Sequence, residues 1–547
     1  MERNRWLVGL LVLSMWLVGA RPIQAQRLGQ YLLLFRDKAN TPFTTGQPTQ
    51  FLSARSVARR QRQGLPITSR DLPVTPAYVQ GLRQAGARVL YTSRWLNAAL
   101  VEANSALLPT LLALPYVQGL ETGRVLNNVN ARQNASVDAQ QRTQKFSETI
   151  PSYGQADFQL RQLGVDQMHA QGFRGEGMLV GILDAGFLRA NQVPFLQNLF
   201  AEQRIVATYD FADREADVYD DDTHGLNVLS VMAGELPNQF YGPAFKASYV
   251  LLRTEVAATE NPVEEAYWLL GAEYADSVGV DVLNSSLGYT TFDNPADNHT
   301  YADLTGTRTL VSRAATWAGE AGIVVVNSAG NEGNSAWRYI GAPADSPSIL
   351  SIGAIDRTEQ LAGFSSIGPT PNGRLKPDLV ALGVGTVLGS PNGTIVSGNG
   401  TSFSSPLVAA LATGFWQANP RLTAAQVRES LRLSGSQASS PNPFYGYGIP
   451  SFNRATAIAR SHYGADAPAV SVYPNPVSGL DPLNVFWSET DPGQEATIRV
   501  TDLTGRLVYQ ERLLSGQSFS VPFMERGLYL LTMTTNTKSR TVKYLRL

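Results

Sequence analysis

Four short segments place chemically capable side chains where strands give way to loops or helices. In Gly181-Ile182-Leu183-Asp184-Ala185-Gly186 a carboxylate ends an apolar strand. Taken alone, such an aspartate is as readily a turn residue or a helix cap. In Asp222-Thr223-His224-Gly225-Leu226-Asn227, which runs on to Met232-Ala233-Gly234, an imidazole opens an apolar helix behind an acidic loop. The chain has four histidines, His169, His224, His299 and His462, so groups able to take a proton near neutral pH are few. A capping or packing histidine would read alike, but the small Gly225 suits an imidazole that projects into a cleft while the rest of its helix packs inside. Gly398-Asn399-Gly400-Thr401-Ser402-Phe403-Ser404-Ser405-Pro406 sets a hydroxyl at the start of a buried helix, Leu407–Trp416. There it gains from backbone N–H groups and the positive end of the helix dipole, and an ordinary N-cap serine has the same setting. Val326-Asn327-Ser328-Ala329-Gly330-Asn331-Glu332-Gly333 carries a strand into a Gly-rich loop. The Asn331 amide could donate to a developing oxyanion without itself titrating, although Asn-Glu-Gly alone reads as a turn.

What must position these residues is a sheet. From about 155 to 460, short and nearly continuous apolar runs (Met178–Asp184, Ser248–Arg253, Val280–Leu287, Ile323–Ser328, Ile349–Ala354) alternate with amphipathic stretches such as Pro262–Asp276 and Leu310–Ala321. Runs buried on both faces and separated by helices predict an α/β fold, a parallel sheet covered by helices on both faces. Functional groups in such folds gather where strands end and loops begin.

The remainder of the chain has a different character. Residues 1–25 carry Arg3 and Arg5, an apolar run from Trp6 to Ala20, and small residues at Ala20 and Ala25. This is the layout of a cleavable secretory signal, and the run is shorter than the roughly 20 apolar residues of a membrane span. The mature protein is expected to have no transmembrane segment. Residues 26–125 read as a small α/β unit, with strands at Tyr31–Phe35, Ala87–Tyr91 and Asn97–Glu102 and helices at Ser53–Gln63 and Ala106–Leu114. Its place between a signal and the α/β core favours a propeptide over an independent domain. Residues 126–154 include a stretch rich in Asn, Gln, Ser and Arg, a linker open to cleavage. After about 465 the pattern becomes alternating strands, as in Thr497–Thr501 and Tyr529–Thr534. Turn signals stand at Pro474-Asn475-Pro476, Thr504-Gly505 and Arg526-Gly527, so residues 465–547 form a small all-β, sandwich-like domain.

Composition narrows the chemistry further. The 547 residues predict several folding units, and 43% hydrophobic residues suffice for a sizeable core. A net charge of −1, with signs mixed along the chain, does not suggest nucleic acid or an anionic membrane as a partner. There is no cysteine, which removes disulfides, zinc–thiolate sites and thiol nucleophiles together.

Together the four segments resemble the subtilisin-like serine peptidases, the subtilases of peptidase family S8, and stand in that family's chain order of Asp, His, Asn, Ser. Ser286-Leu287-Gly288 looks like the family's substrate-binding strand. Phe364-Ser365-Ser366-Ile367-Gly368-Pro369 and Lys376-Pro377-Asp378-Leu379-Val380-Ala381 match two further family segments. The resemblance spans residues 155–462 and implies a peptidase domain in which Ser402 attacks a peptide carbonyl and His224 takes and returns the proton. Asp184 orients His224, and Asn331 with the Ser402 N–H receives the oxyanion. It implies protein or peptide substrates laid as a strand beside Ser286, Leu287, Gly288, Ala329 and Gly330, and the propeptide as inhibitor. No cofactor is implied. Calcium, common in the family, is not assigned, because Asp217, Asp220, Asp221 and Asp222 are equally a solvated acidic loop. Four positions depart from the pattern: Ala185 where Thr or Ser is usual, Asn227 in place of a second histidine, and Ser404 and Leu407 for the usual Ala and His. None of them moves protons in the family mechanism.

The tail has a resemblance of its own. Val472-Tyr473-Pro474-Asn475-Pro476, Asp502-Leu503-Thr504-Gly505-Arg506 and the stretch from Gly527-Leu528-Tyr529 to Lys543 look like the C-terminal sorting domain of the type IX secretion route in Bacteroidota. That implies export across the outer membrane, with release or attachment at the cell surface. An ordinary β-sandwich that binds carbohydrate or protein would share these features. A catalytically inactive subtilase used as a scaffold, or an adhesin acting through the β domain, are the rival readings of the whole chain.

Overall fold

The structure is a computed structural model, described for residues 28–128, 153–463, 470–473, 483–487, 495–514, 519–521, 524–534 and 539–546. The expected signal, most of the processing region and the Pro474-Asn475-Pro476 turn lie outside these residues. No helix among the described residues is long and apolar enough to cross a membrane.

Seven parallel strands form the central sheet, side by side in the order Leu379–Leu382, Leu350–Ile355, Val324–Ser328, Val282–Ser285, Leu179–Asp184, Ser248–Arg253 and Ile205–Asp210. The strand ending in Asp184 lies between its later neighbours on either side, where the chain changes direction of winding. Crevices at the carboxyl ends of strands open at such a point. Alternation along each strand sorts its side chains between two cores. Val180, Ile182, Tyr249 and Leu251 face the helices His224–Ala233 and Thr401–Ala418, whereas Leu179, Leu183, Val250 and Leu252 face the helices Val263–Val278 and Leu310–Glu320. Both helices of the first face are apolar nearly all round, as a helix buried beneath other elements must be. Two strands, Ile205–Asp210 and Leu379–Leu382, go beyond the five read from sequence.

Residues 28–128 fold around a small core of their own, including Tyr31, Leu33, Phe35, Leu82, Val101 and Leu111. The strands Leu28–Phe35, Arg88–Ser93, Ala98–Asn104 and Val117–Leu120 pair antiparallel. Period-2 alternation leaves Leu32, Ala98 and Leu100 on the opposite face, and these join the core built on the Val263–Val278 helix. The unit also has a helix that was not expected, Pro76–Gln84. The basic helix Ala54–Arg62, capped by Ser53, is turned towards the α/β core. Its Arg59, together with Arg60 and with Arg94, converges on Asp276, which is fully buried. Glu273 accepts from Ser93 Oγ at 2.5 Å and from the backbone N–H groups of Arg94 and Trp95 at 2.9 and 3.2 Å. Among the described residues after 469, strands pair in one sheet of four and one of three.

Candidate active site

The predicted residues converge at the carboxyl edge of the sheet. Asp184, the last residue of its strand and 0% exposed, accepts a hydrogen bond from the Ala185 N–H and lies 2.7 Å from His224 Nδ1 through Oδ1. His224 opens its helix, and Asp222 Oδ1 accepts its backbone N–H at 2.7 Å, one of the donors a helix start leaves free. Glycine makes the approach possible: a Cβ on Gly225 would stand 2.3 Å from Gly186 O and 3.0 Å from Asp184 Cβ. The buried Asp184 Oδ2 has no hydrogen-bond partner among the described residues.

Electrostatics couple the pair. Burial works against an imidazolium and lowers the His224 pKa. The charge and hydrogen bond of Asp184, with Asp222 and Glu255 behind it, outweigh burial and raise the value to about 9. Glu255 lies just past the strand next to Asp184, and its carboxyl is itself raised by burial and by Glu260.

Ser402 stands in the first turn of the helix Thr401–Ala418, which begins earlier than its apolar pattern foretold, so Pro406 falls within it. Gly400, at φ 149°, makes the turn into this helix, a backbone conformation that favours glycine. Ser402 Oγ donates weakly to Ser286 O at 3.4 Å, and the ring of Phe403 lies 6.0 Å from that of His224. Asn331 Oδ1 accepts from the Thr401 N–H and Oγ1 at 2.9 and 3.0 Å, which turns Nδ2 outward as a donor. A side chain at Gly400 would meet Ser402 N at 3.7 Å and Asn331 Nδ2 at 3.8 Å, so the two donors flank one small space. The segment Phe364–Ser366 braces the Asn331 loop: Gly333 N–H donates to Phe364 O at 2.8 Å and Glu332 N–H to Ser366 Oγ at 3.0 Å.

Ser286 and Leu287 are tied from beneath. Ser286 Oγ donates to Ser402 O at 2.9 Å and accepts from Asn284 Nδ2 at 3.2 Å, while Asn327 Nδ2 donates to Leu287 O at 3.0 Å. Gly288 is exposed, Ala329 is buried and Gly330 half-buried. All nine residues singled out from sequence are therefore neighbours in this region.

Two carboxylate groups nearby were not foreseen. Glu255, Glu260 and Glu264 draw together, and so do Asp210, Asp213 and Asp221, with the Arg253 guanidinium bonded to all three of the latter. Two members of the acidic loop before His224 have partners: Asp221 pairs with Arg253, and Asp222 accepts the N–H of His224 at the helix start. The one sequence signal was a charge at the end of an otherwise apolar strand.

The structure thus brings an aspartate–histidine pair, a helix-start serine and an asparagine amide together at the carboxyl edge of a parallel α/β sheet. Residues 175–448, half of the chain, match the subtilase family of peptidase S8. Residues 30–142 match the peptidase S8 propeptide domain of Bacteroidota and residues 471–545 the secretion system C-terminal sorting domain. Subtilisin DY of Bacillus licheniformis is 30% identical over 300 residues, 55% of this chain and 95% of the relative. Subtilisin NAT of Bacillus subtilis subsp. natto is 29% identical over 366 residues, 66% of this chain and 81% of the relative. Among solved structures, MycP1 with its N-terminal propeptide removed is similar with a TM-score of 0.43 at 23% identity, covering 55% of this chain and 96% of that one. The chain belongs to the subtilase family: it is a subtilisin-like serine endopeptidase with a propeptide and a type IX sorting tail that marks it for export.

Proposed function

We propose that the chain is the precursor of an exported endopeptidase that works by a Ser402–His224–Asp184 triad through an acyl-enzyme. Attack begins when Ser402 Oγ turns from Ser286 O towards His224 Nε2, which takes its proton as the serine oxygen bonds to the peptide carbonyl carbon. The carbonyl oxygen, now an anion, is received by Asn331 Nδ2 and the Ser402 N–H. His224 then gives the proton to the leaving amine, and water, activated by the same imidazole, releases the acyl group. Asp184 keeps Nδ1 protonated, so Nε2 is the basic nitrogen. The strand residues Ser286, Leu287 and Gly288 and the segment Ala329–Gly330 hold the substrate between them. No cofactor takes part in these steps.

The chain divides into a signal (1–25), a propeptide that inhibits in place of substrate (26–125), a processing region (126–154), the peptidase domain (155–462) and a sorting domain (465–547). The product is secreted or attached to the cell surface after crossing the outer membrane. The observation that carries the reading is the 2.7 Å contact of Asp184 with His224 at the edge that also presents Ser402. Labelling of the processed protein with a fluorophosphonate tests it: wild type is expected to label and Ser402→Ala not to. Equal labelling of the two, or none in wild type, would refute the triad and favour an inactive scaffold.

A further inference from the structure

Arg253 pairs in register with Asp184 on the adjacent strand, at the same carboxyl edge. Its side chain is 4% exposed, and the guanidinium is used on every side. Nη1 donates to Asp210 Oδ2 at 2.5 Å and Asp213 Oδ2 at 2.7 Å, Nη2 faces Asp221 Oδ1 at 3.1 Å, and Nε donates to Ala185 O at 3.0 Å. The three carboxylates bring oxygens within 4.8 Å of one another, a spacing at which negative charges repel unless a cation sits among them.

The segments gathered by this guanidinium are the ones that carry the aspartate and the histidine. Ala185 directly follows Asp184. Asp221 directly precedes Asp222, whose Oδ1 accepts the His224 N–H. The two segments are stitched together by Phe187 N–H to Val218 O (2.8 Å), Leu188 N–H to Asp222 O (3.0 Å) and Arg189 N–H to Tyr219 O (2.8 Å). They approach so closely that a Cβ on Gly186 would lie 2.5 Å from Asp222 N and 2.7 Å from Asp221 Cβ. The third strand of the assembly enters through Asp210, whose Oδ1 accepts the N–H groups of Ala212 and Asp213 at 2.7 and 2.9 Å.

We propose that Arg253 is a built-in cation: a positioning residue that does, from within the chain, what a bound divalent ion does for an oxygen cage, and so fixes the Asp184 turn against the His224 loop. The inference rests on the triad reading, since Arg253 acts only through Asp184 and His224. A planar guanidinium can meet three carboxylates and a carbonyl at fixed angles, whereas a lysine ammonium offers charge without that fork. Removing the guanidinium leaves an oxygen ring suited to a hard cation of calcium type.

The test uses enzyme processed from the full precursor and a peptide substrate, comparing wild type, Ser402→Ala, Arg253→Ala and Arg253→Lys after treatment with EDTA. The Ser402→Ala control examines the nucleophile alone, so a fault in the triad is separable from a fault here. Arg253→Ala is expected to lose about 100-fold in kcat with KM changed little, the effect of misplacing a catalytic pair by about 1 Å. Added calcium chloride or guanidinium chloride at non-denaturing concentration is expected to return most of that loss, to leave wild type unchanged, and to improve Arg253→Lys only slightly. If Arg253→Ala keeps kcat within about threefold of wild type, or if a folded Arg253→Ala answers neither cation, the proposal is overturned. Should Arg253→Ala fail to mature, Asp221→Asn decides, since Asp210 and Asp213 still hold Arg253 while the His224 loop is let go. A fall of about tenfold in kcat is expected there, and an unchanged kcat overturns the assignment.

Discussion

Asp276→Asn is expected to free the processed enzyme from its own propeptide while leaving peptide cleavage intact. The carboxylate is fully buried beneath the propeptide and meets three guanidiniums, those of Arg59, Arg60 (2.8 Å) and Arg94 (2.5 Å). Burial pushes its pKa up, but the three cations outweigh burial and hold it below the usual carboxylate range. Arg59, itself 1% exposed, keeps only the carbonyls of Val280 and Ala321 once the carboxylate is gone. Removing one partner from a buried ionic cluster costs about 3–5 kcal/mol, because the charges left behind stay desolvated without compensation. At about 1.4 kcal/mol per tenfold, the inhibition constant of residues 26–125 added in trans should rise by about two to three and a half powers of ten. The assay is progress-curve inhibition of processed wild type and Asp276→Asn by the same wild-type propeptide segment. Arg70→Ala in that segment is the internal comparison. Its pair with Glu320 is 43% and 52% exposed and its guanidinium lies 5.3 Å from the Trp317 ring centre; an exposed pair contributes about 0–1 kcal/mol and an exposed cation–π contact about 0.5–1 kcal/mol, so the shift should stay below about thirtyfold. If Asp276→Asn shifts the constant no more than Arg70→Ala does, the buried cluster does not hold the propeptide and the reasoning fails.

Three further outcomes follow from the site. With His224 held near pKa 9, the imidazole stays protonated, and unable to accept a proton, to higher pH than a free histidine. The logarithm of kcat/KM should therefore climb with pH and level off around 9, and Glu255→Gln, by removing a carboxylate that favours the imidazolium, should move the bend to lower pH. A bend near the free-histidine value of about 6.5 would refute this. Asn331→Ala should lower kcat by about 10²–10³ with KM little changed, measured by steady-state kinetics, because the donor is needed only once the oxyanion forms. Gly225→Ala should cost about 1–3 kcal/mol by thermal or denaturant unfolding and depress kcat as well, since the new methyl meets Gly186 O at 2.3 Å and pushes the helix from Asp184.

The parts of the fold that could be read in advance share one property: their constraint is local. Leu179–Asp184, Ser248–Arg253 and Val324–Ser328 are buried almost throughout, so burial writes itself as an apolar run. Ile205–Asp210, at the edge of the sheet, is mostly half-buried and leaves no such run, and Leu379–Leu382 is only four residues long behind Pro377. The helix Pro76–Gln84 buries little beyond Leu82 and contains Gly81, so its period is faint. The site residues could be picked out for the same local reason. Gly186, Gly225, Gly330 and Gly400 flank them because the backbone there must turn sharply or approach another chain segment closely, and glycine at these places stays visible in the sequence.

Charge is where local reading fails, and it fails in a single way. Mixed signs and a net of −1 do not say how charge is laid out in the fold: the basic helix Ala54–Arg62 of the propeptide faces Asp276 and Asp281 of the core, more than 200 positions away in the chain. Net charge sums over a surface that folding divides into complementary faces. Arg253 and its carboxylates follow the same rule at shorter range. Of Asp217, Asp220, Asp221 and Asp222, which read as a solvated or calcium-binding loop, Asp221 has its cation at a strand end about 30 residues on, beside Asp184. A buried charge is therefore informative in proportion to how far away its partner lies. Of the clusters hidden in this way, the one around Asp276 joins the core to the propeptide, and the one around Arg253 joins the strand end that carries Asp184 to the loop that carries His224.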